Sequence, residues 1–372
     1  MLMQFDKEQE ELRRTLRRFL ETKSSSEEVR RLMETEEGYD KAVWKQMADQ
    51  LGLQGLAVPE EFGGSGFGIL ESALVLEEMG RALLPAPYLA TVLAANLLQL
   101  SSDEQAKSDL LPGIAEGATI ATVALAEADG AWTAENLQTR ATQGDGGWTL
   151  DGQKNFVLDG HTADLILVVA QAPGGPSVFA VDASATGLTR RALTTLDMTR
   201  KLAEVGFAGT PARLVGAEGD AATLVPQLMQ IAIVLLATEQ VGGAQRCLER
   251  TVEYVNIRYQ FGRPVGSFQA VKHRCADMLL EVESARSAAY YALWALAEGG
   301  DDVAISVDLA KAFCSEAYWL AASDSIQLHG GIAFTWEHDA HLYYRRAKSS
   351  GLLFGSSTEH WDAVAEKLLA DA

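Results

Sequence analysis

Two short segments in the last third of the chain combine residue types that can hold an anionic ligand. The first contains Arg258, Phe261 and Gly262, where a helical pattern stops just before Pro264. A guanidinium there can bind a diphosphate through paired hydrogen bonds, and Phe261 offers a flat apolar surface. The second, Gln327-x-x-Gly330-Gly331, ends another helical pattern in two glycines, which let a ligand approach the backbone. The purely structural alternative, an arginine at one helix end and a glycine C-cap at the other, stays open.

Composition narrows the classes of protein to which the chain can belong. Its 372 residues are 48% hydrophobic and carry a net charge of −20, with no stretch dense in Lys or Arg. A nucleic-acid partner is therefore not expected, because phosphate backbones need clustered positive charge. Three cysteines without CxxC spacing suit a reducing cytoplasm, and the apolar runs are too short for a membrane partner. These features predict a cytoplasmic globular protein.

The hydrophobic periodicity changes twice along the chain. It is helical over residues 1–117, becomes a series of short β-type runs separated by Gly, Asp and Pro turns over 118–216, and returns to long helices over 217–372. Long helices with short links predict an antiparallel bundle. The sequence thus predicts a mainly α fold: an N-terminal helical domain, a central β-barrel or sandwich domain, and a C-terminal helical bundle.

This order, together with several local strings, resembles the acyl-CoA dehydrogenase family. The matching strings follow the family's order along the whole chain: Leu56-Ala57-Val58-Pro59-Glu60, Leu76-Glu77-Glu78-Met79-Gly80, Arg258-x-x-Phe261-Gly262, Phe268-Gln269 and Gln327-x-x-Gly330-Gly331. The resemblance implies a C-terminal four-helix bundle that serves flavin sharing and oligomerisation. It also implies FAD as cofactor, and an acyl-CoA thioester as substrate.

The resemblance assigns one part of the FAD site to this chain. We call the residues it implies the flavin clamp: Arg258, Phe261, Gln269, Gln327, Gly330 and Gly331. In the family, this part of the site is offered across a subunit interface to a flavin seated mainly on the neighbouring chain. The clamp alone therefore does not require the chain to hold a complete flavin.

Both positions at which the family carries its catalytic glutamate are apolar in this chain. Alignment on Gly355 places Phe354 at the usual position, and the alternative position early in the first bundle helix falls on Ala232. Neither side chain can accept a proton. Glu359 is three residues beyond Ser356 and is predicted to form a capping box. Glu239 lies about 10 Å along the helix from Ala232, too far to replace the base without a rebuilt pocket.

The flavin seat of the β domain also departs from the family pattern. Leu158 stands where the family has a threonine near the hydride-accepting flavin nitrogen, and Trp132 is bulky where small residues are expected. A leucine cannot donate a hydrogen bond. We interpret this part of the chain as having lost its ability to hold the flavin ring. The alternative is ordinary sequence divergence within the family, in which another residue supplies the hydrogen bond.

A third group of polar residues, Glu337-His338-Asp339-x-His341, has the composition of a metal cluster. It lacks HExxH spacing and a well-placed third ligand, and aromatic residues flank it. A structural role is predicted, and no metal is expected.

Together these features resemble the base-lacking subunit of the actinobacterial heterotetrameric (α2β2) dehydrogenases that act on steroid side-chain CoA thioesters. By that hypothesis a second, catalytic subunit supplies the glutamate, and electrons pass to an electron-transfer flavoprotein. Two alternatives stay open: a homo-oligomeric dehydrogenase with a relocated base, and a non-catalytic scaffold that binds acyl-CoA or a partner without flavin.

Overall fold

The computed structural model describes residues 5–300 and 302–370 of the chain. These residues form two compact units, each containing chain segments that are distant in sequence. The described residues of the first unit are 5–30, 73–84, 233–300 and 302–370, and those of the second are 31–72 and 85–232.

From residue 5 onward, the described part of the N-terminal helical region forms six α-helices. They are α1 (Lys7–Lys23), α2 (Ser26–Met33), α3 (Lys41–Leu51), α4 (Ile69–Ala82), α5 (Tyr88–Leu100) and α6 (Glu104–Ala115). Local sequence explains where several of them begin and end. Asp6 and Gln9 form a reciprocal capping box at the start of α1, Asp40 caps α3, and Gly52 ends α3 in the left-handed conformation.

Seven strands form the β domain. They are β1 (Ala121–Ala124), β2 (Arg140–Gly144), β3 (Gly147–Leu158), β4 (Leu165–Ala172), β5 (Gly175–Asp182), β6 (Leu188–Ala192) and β7 (Leu202–Val215). Pairings β2–β3, β3–β7, β7–β5, β5–β4 and β4–β2 close a circuit of five strands. This arrangement confirms the predicted central β domain, for which the sequence left a barrel or a sandwich open. Strands β2 and β6 were not predicted from the sequence. Most of their side chains are exposed, so the strands do not show the alternation of apolar and polar residues that marks a half-buried strand.

In the C-terminal region, the residues that the structure describes form five α-helices and a small hairpin. They are α7 (Ala221–Ile257), β8 (Tyr259–Gln260), β9 (Arg263–Pro264), α8 (Gln269–Glu298), α9 (Val303–His329), α10 (Ala340–Leu352) and α11 (Ser357–Ala370). Helices α8, α10 and α11 all pack against α9. Gly243 of α7 lets Tyr318 of α9 approach closely, because a Cβ at position 243 would lie 2.5 Å from the tyrosine ring. The helical bundle predicted from the sequence is confirmed.

Glycine also allows α4 to cross α7 at short range within the first unit. A Cβ on Gly242 would lie 1.8 Å from the main-chain oxygen of Glu77, and one on Gly80 would lie 2.1 Å from that of Glu239. The string Leu76–Gly80, which carries part of the family resemblance, therefore has a packing reason, since only glycine lets these two backbones touch.

Helix α7 is long and apolar enough, by length and composition alone, to cross a membrane. Of its most apolar window, however, 61% is buried inside the protein. Burial of that kind is typical of a core helix in a bundle.

Candidate functional site

The clamp segment at the end of α7 is a tight hairpin. Helix α7 ends at Ile257, and the main-chain N–H of Val265 donates to the oxygen of Arg258 at 2.8 Å, which closes the loop. Phe261 and Gly262 form the turn with φ values of 52° and 76°, a pattern of two-residue hairpin turns. The sequence predicted the helix end but not the hairpin. A non-glycine residue at positive φ is uncommon, so the hairpin holds Phe261 in a defined, outward position.

A stacked pair stiffens this hairpin. The guanidinium of Arg263 lies 3.9 Å from the centre of the Phe268 ring, and the ring of Phe261 meets Phe268 edge-on at 6.2 Å. The sequence did not identify Arg263 as part of the site, although it lies only five residues before Phe268. The pair joins the hairpin to the start of α8, where Gln269 is exposed.

The charge around the hairpin is opposite to that of the chain as a whole. Residues 258–274 contain four Lys or Arg and no Asp or Glu, whereas the whole chain carries −20. Arg274 pairs with Asp324 at 2.8 Å. Among the described residues, no carboxylate lies within ion-pair distance of Arg258, whose side chain is exposed. An anionic group can therefore reach this guanidinium without displacing an acidic side chain.

The second clamp segment exposes backbone at the end of α9. Gly330 caps the helix with φ 68°, and its N–H donates to the main-chain oxygens of Ile326 and Gln327. A Cβ added at Gly330 or Gly331 would meet no heavy atom within 4 Å. These glycines therefore face open space and not a packed interior, and Gln327 is exposed beside them. An open, side-chain-free backbone suits close approach by a ligand.

The fold brings the two clamp segments together through aromatic rings. Tyr254, one helical turn before Arg258, stacks on His329 with ring centres 4.4 Å apart. His329 directly precedes Gly330. Neither ring was identified from the sequence, although His329 lies inside the Gln327-x-x-Gly330-Gly331 string. The chain therefore places the arginine and the glycine pair on neighbouring helix ends.

Large apolar side chains next to the clamp are exposed. The exposed fractions are 76% for Ile257, 91% for Phe261 and 80% for Phe334. Contiguous exposed apolar groups mark sites of interaction with ligands or other protein surfaces.

Position 354 lies in a buried, left-handed turn between α10 and α11. Phe354 has φ 61° and is 5% exposed, and Gly355 follows with φ 102°. The main-chain oxygen of Phe354 lies 2.9 Å from His360 Nε2, and His360 Nδ1 lies 2.6 Å from Asp308 Oδ1. Burial opposes ionisation of Asp308, but hydrogen bonds from His360 and Lys367 outweigh it and lower the pKa of that carboxyl. The turn is therefore firmly held, and the side chain that it carries at position 354 is a phenyl ring that cannot accept a proton.

The two acids considered as substitutes are both engaged in structural contacts. Glu239 accepts from Arg346 at 2.6 Å, and both side chains are buried. Glu359 accepts from the main-chain N–H of Ser356 at 2.6 Å, which confirms the predicted capping box. Hydrogen bonding to Ser356 lowers the pKa of Glu359. Ala232, where the family resemblance leads us to expect the alternative base, is a buried methyl group.

The β domain places Leu158 at the end of β3 with its side chain buried. Its main-chain oxygen accepts from the hydroxyl of Thr122 at 2.6 Å. The neighbouring Glu127 pairs with the fully buried Lys154 at 2.8 Å. Burial would raise the pKa of Glu127, but Lys154 and two backbone N–H donors lower it to about 2. Thr122, Glu127 and Lys154 are thus engaged in contacts within the β domain, and Trp132 is half-buried.

The segment that resembles a metal cluster is a hub of ion pairs. Asp339 accepts from Arg30 and from Arg250, each at 2.8 Å. Burial opposes its ionisation, yet Ser26 and these cations lower its pKa to about 2. Over residues 5–300 and 302–370, no three His, Cys, Asp or Glu side chains come together as metal ligands.

Comparison with known proteins identifies the family. Three family models match in succession: the acyl-CoA dehydrogenase N-terminal domain over residues 6–118, the middle domain over 122–208 and the C-terminal domain over 226–369. The acyl-CoA dehydrogenase IpdE2 of Mycolicibacterium smegmatis is 37% identical over 352 residues, covering 95% of this chain and 96% of that protein.

Two solved structures are similar over nearly the whole chain. One is described as a Tcur3481-Tcur3483 steroid ACAD G363A variant, with 31% identity, a TM-score of 0.88 and 98% of both chains covered. The other is the ChsE4-ChsE5 complex of Mycobacterium tuberculosis, with 29% identity, a TM-score of 0.90 and 99% of both chains covered. The chain therefore belongs to the acyl-CoA dehydrogenase family.

Proposed function

We propose that this chain is the base-lacking subunit of a heteromeric (α2β2) acyl-CoA dehydrogenase. It supplies the flavin clamp to FAD that is held mainly by a catalytic partner subunit. The observation that carries the proposal is the buried phenyl ring of Phe354 at the position of the family's glutamate. Dehydrogenation requires a base within reach of the α-proton of the acyl thioester. A chain without that base, but with an exposed clamp, is suited to complete a partner's site.

FAD, when bound, supplies the hydride acceptor for the β-carbon of the thioester. The residues of this chain act at the other end of the cofactor. Arg258 pairs with phosphate charge, and Phe261 covers an apolar ring face. Gly330 and Gly331 leave backbone accessible to the dinucleotide.

The residues fit one part of FAD and not the other. Arg258 is exposed and lies in an acid-free stretch, and the glycine pair faces open space. These properties match a diphosphate and its adenosine. At the flavin-ring seat, the side chain of Leu158 donates no hydrogen bond, and Glu127 is held by Lys154. This asymmetry supports an FAD site that is shared with a partner subunit over an FAD site that is complete on this chain.

Relatives support the assembly and the substrate class in the proposal. Both solved structures named above are described by pairs of chains, and one of them is described as a steroid ACAD. We extend that class to this chain: the substrate is a steroid side-chain CoA thioester, the electrons pass to an electron-transfer flavoprotein, and the complex works in the cytoplasm.

A homo-oligomeric enzyme with a relocated base is the second candidate. It needs a carboxylate free to take a proton, whereas Glu239 is paired with Arg346 and Glu359 caps α11. A flavin-free scaffold is the third candidate. A flavin-free scaffold would not explain why Arg258 is exposed near two glycines that face open space.

A co-expression experiment distinguishes the three candidate functions. The chain is produced alone and together with the protein encoded by its neighbouring gene, and flavin per chain and dehydrogenation of a steroid side-chain CoA thioester are measured. We expect about half a flavin per chain, and turnover only in the complex, as for two sites in a four-chain assembly. Flavin and turnover by the isolated chain would support the homo-oligomer. A complex that forms without flavin would support the scaffold.

A further inference from the structure

The rings of Tyr254 and His338 both contact the ring of His329, which directly precedes the clamp glycines. The buried ring of His329 stacks on Tyr254 with ring centres 4.4 Å apart, and it meets His338 at 4.5 Å with the ring planes tilted by 51°. We call these three rings the Tyr254–His329–His338 stack. Its Nδ1 lies 2.7 Å from the main-chain oxygen of Ser325. Because a carbonyl oxygen only accepts, Nδ1 carries the proton.

Both outer ends of the stack are anchored. Tyr254 lies within α7, where its main-chain oxygen accepts from the N–H of Arg258 at 2.9 Å. On the other side, His338 Nδ1 accepts from the main-chain N–H of Ala340 at 3.2 Å, which ties the ring to the start of α10. Next to it, Asp339 is paired with Arg250 of α7. The stack therefore connects α7, the end of α9 and the start of α10.

The turn that carries the clamp glycines has little else to hold it. In Gly330–Phe334 only Ala333 is buried, and the other four residues are exposed. A segment with so few buried groups takes its position from its anchors. His329, the residue immediately before the turn, is the nearest buried aromatic anchor.

We propose that the Tyr254–His329–His338 stack is a positioning element, which sets the Arg258 end of α7 against the Gly330–Phe334 turn and thereby fixes the geometry of the flavin clamp. The inference deepens the proposed function and rests on it. None of the three rings is assigned contact with the cofactor. Their effect on FAD binding passes through the relative position of Arg258 and the glycine pair.

The surroundings favour neutral rings in the stack. Burial lowers the pKa of His329 and lowers that of His338 to about 4. The charge of Arg250 lowers both further, and Asp339 opposes this at His338. His341 lies on α10 beside Arg30 and Arg345, and its pKa is lowered by burial and by these two cations. Neutral aromatic rings can stack closely without repulsion between charges.

The first test uses the chain without cofactor. Hydrogen–deuterium exchange is measured for the amides of Gly330–Phe334 in the native protein, in His329→Leu and in His329→Phe. Leucine removes the aromatic stack, whereas phenylalanine keeps a flat ring that cannot take a proton. We expect exchange in the turn to rise about three- to tenfold in His329→Leu and to stay near the native rate in His329→Phe. Tyr291→Leu, which changes an exposed tyrosine of α8 outside the stack, is the matched control and should leave the turn unaffected.

The second test uses the complex with the catalytic partner, and FAD is the probe. The Kd for FAD is expected to rise about tenfold in His329→Leu, with unchanged assembly, and to return within about threefold of native in His329→Phe. Equal exchange and equal Kd in the native protein and His329→Leu would overturn the inference. If His329→Leu does not fold, the His329→Phe variant provides the test instead. A His329→Phe complex that loses FAD would overturn the inference as well. Absence of FAD from the native complex would refute the proposed function and leave the exchange result standing as a separate measurement.

Discussion

His360 Nε2 lies 2.9 Å from the main-chain oxygen of Phe354, and this contact holds the turn at which the family resemblance leads us to expect the catalytic glutamate. A carbonyl oxygen only accepts, so Nε2 is the donor, while Nδ1 faces the carboxylate of Asp308 at 2.6 Å. The left-handed backbone of Phe354 is thus secured by a chain of hydrogen bonds that reaches α9.

Loss of this contact should loosen the turn. His360→Leu leaves the oxygen of Phe354 and the carboxylate of Asp308 without their shared donor. We expect the free energy of unfolding to fall by about 2–3 kcal/mol. Chemical denaturation measures the change. His360→Gln, which can still donate to one acceptor, should lose less, and an equal loss in both variants would contradict the role assigned to the imidazole.

Restoring a carboxylate at position 354 should not restore an enzyme. In Phe354→Glu the isolated chain gains the family's acid, but Leu158 still provides no donor at the flavin-ring seat. We expect no dehydrogenation by the isolated variant, and a loss of about 1–3 kcal/mol of stability because a carboxyl group replaces a buried ring. Turnover is measured with an artificial electron acceptor, with Phe354→Leu as control. Turnover in the glutamate variant alone would show that the seat still works.

Glu239 is expected to stabilise the bundle and not to act as a base. In Glu239→Gln the buried Arg346 loses its ion-pair partner, and removal of one member of a buried pair destabilises by about 3–5 kcal/mol. Turnover per bound flavin in the complex should stay at the native value. Thermal unfolding and steady-state kinetics measure the two effects. A stable variant with abolished turnover would instead identify Glu239 as a relocated base.

Arg258 should contribute to cofactor affinity and little to stability, because its side chain is exposed. Arg258→Lys keeps the charge but loses the paired hydrogen bonds, so the Kd for FAD in the complex should rise about tenfold. Fluorescence titration with FAD measures this. Arg14→Ala, on the exposed face of α1, is the control. If Arg258→Lys and the control bind FAD equally well, Arg258 is not a phosphate ligand.

The histidine stack should make the chain sensitive to mild acid. The pKa of His338 falls from 6.5 to about 4 on folding, mainly because the ring is buried. As pH falls through this range, the unfolded chain binds the proton first, so the stabilisation present above pH 6.5 is lost progressively towards pH 4. Unfolding temperatures recorded between about pH 7 and pH 4.5 should therefore fall less steeply in His338→Phe than in the native protein. Identical slopes would contradict a neutral, buried His338.

Some features could be predicted from the sequence because they depend on local order. The helical and β-type periodicities predicted the three-part fold, and the capping box at Ser356 and Glu359 follows from a spacing of three residues. The hairpin at Phe261 could not be predicted in the same way, because its strands are two residues long and leave no periodicity. Strand β6 was missed because its exposed polar residues show no alternation.

The sequence by itself determined the absence of a proton acceptor at Phe354 and Ala232, since that is a property of side-chain identity alone. Only the tertiary structure decided what surrounds the vacant position. Glu239 meets Arg346 across 107 residues of chain, and Tyr254 meets His329 across two helices. Such contacts depend on how helices cross and pack, which no short window of sequence contains, and they separate an acid that holds the bundle together from one free to act as a base.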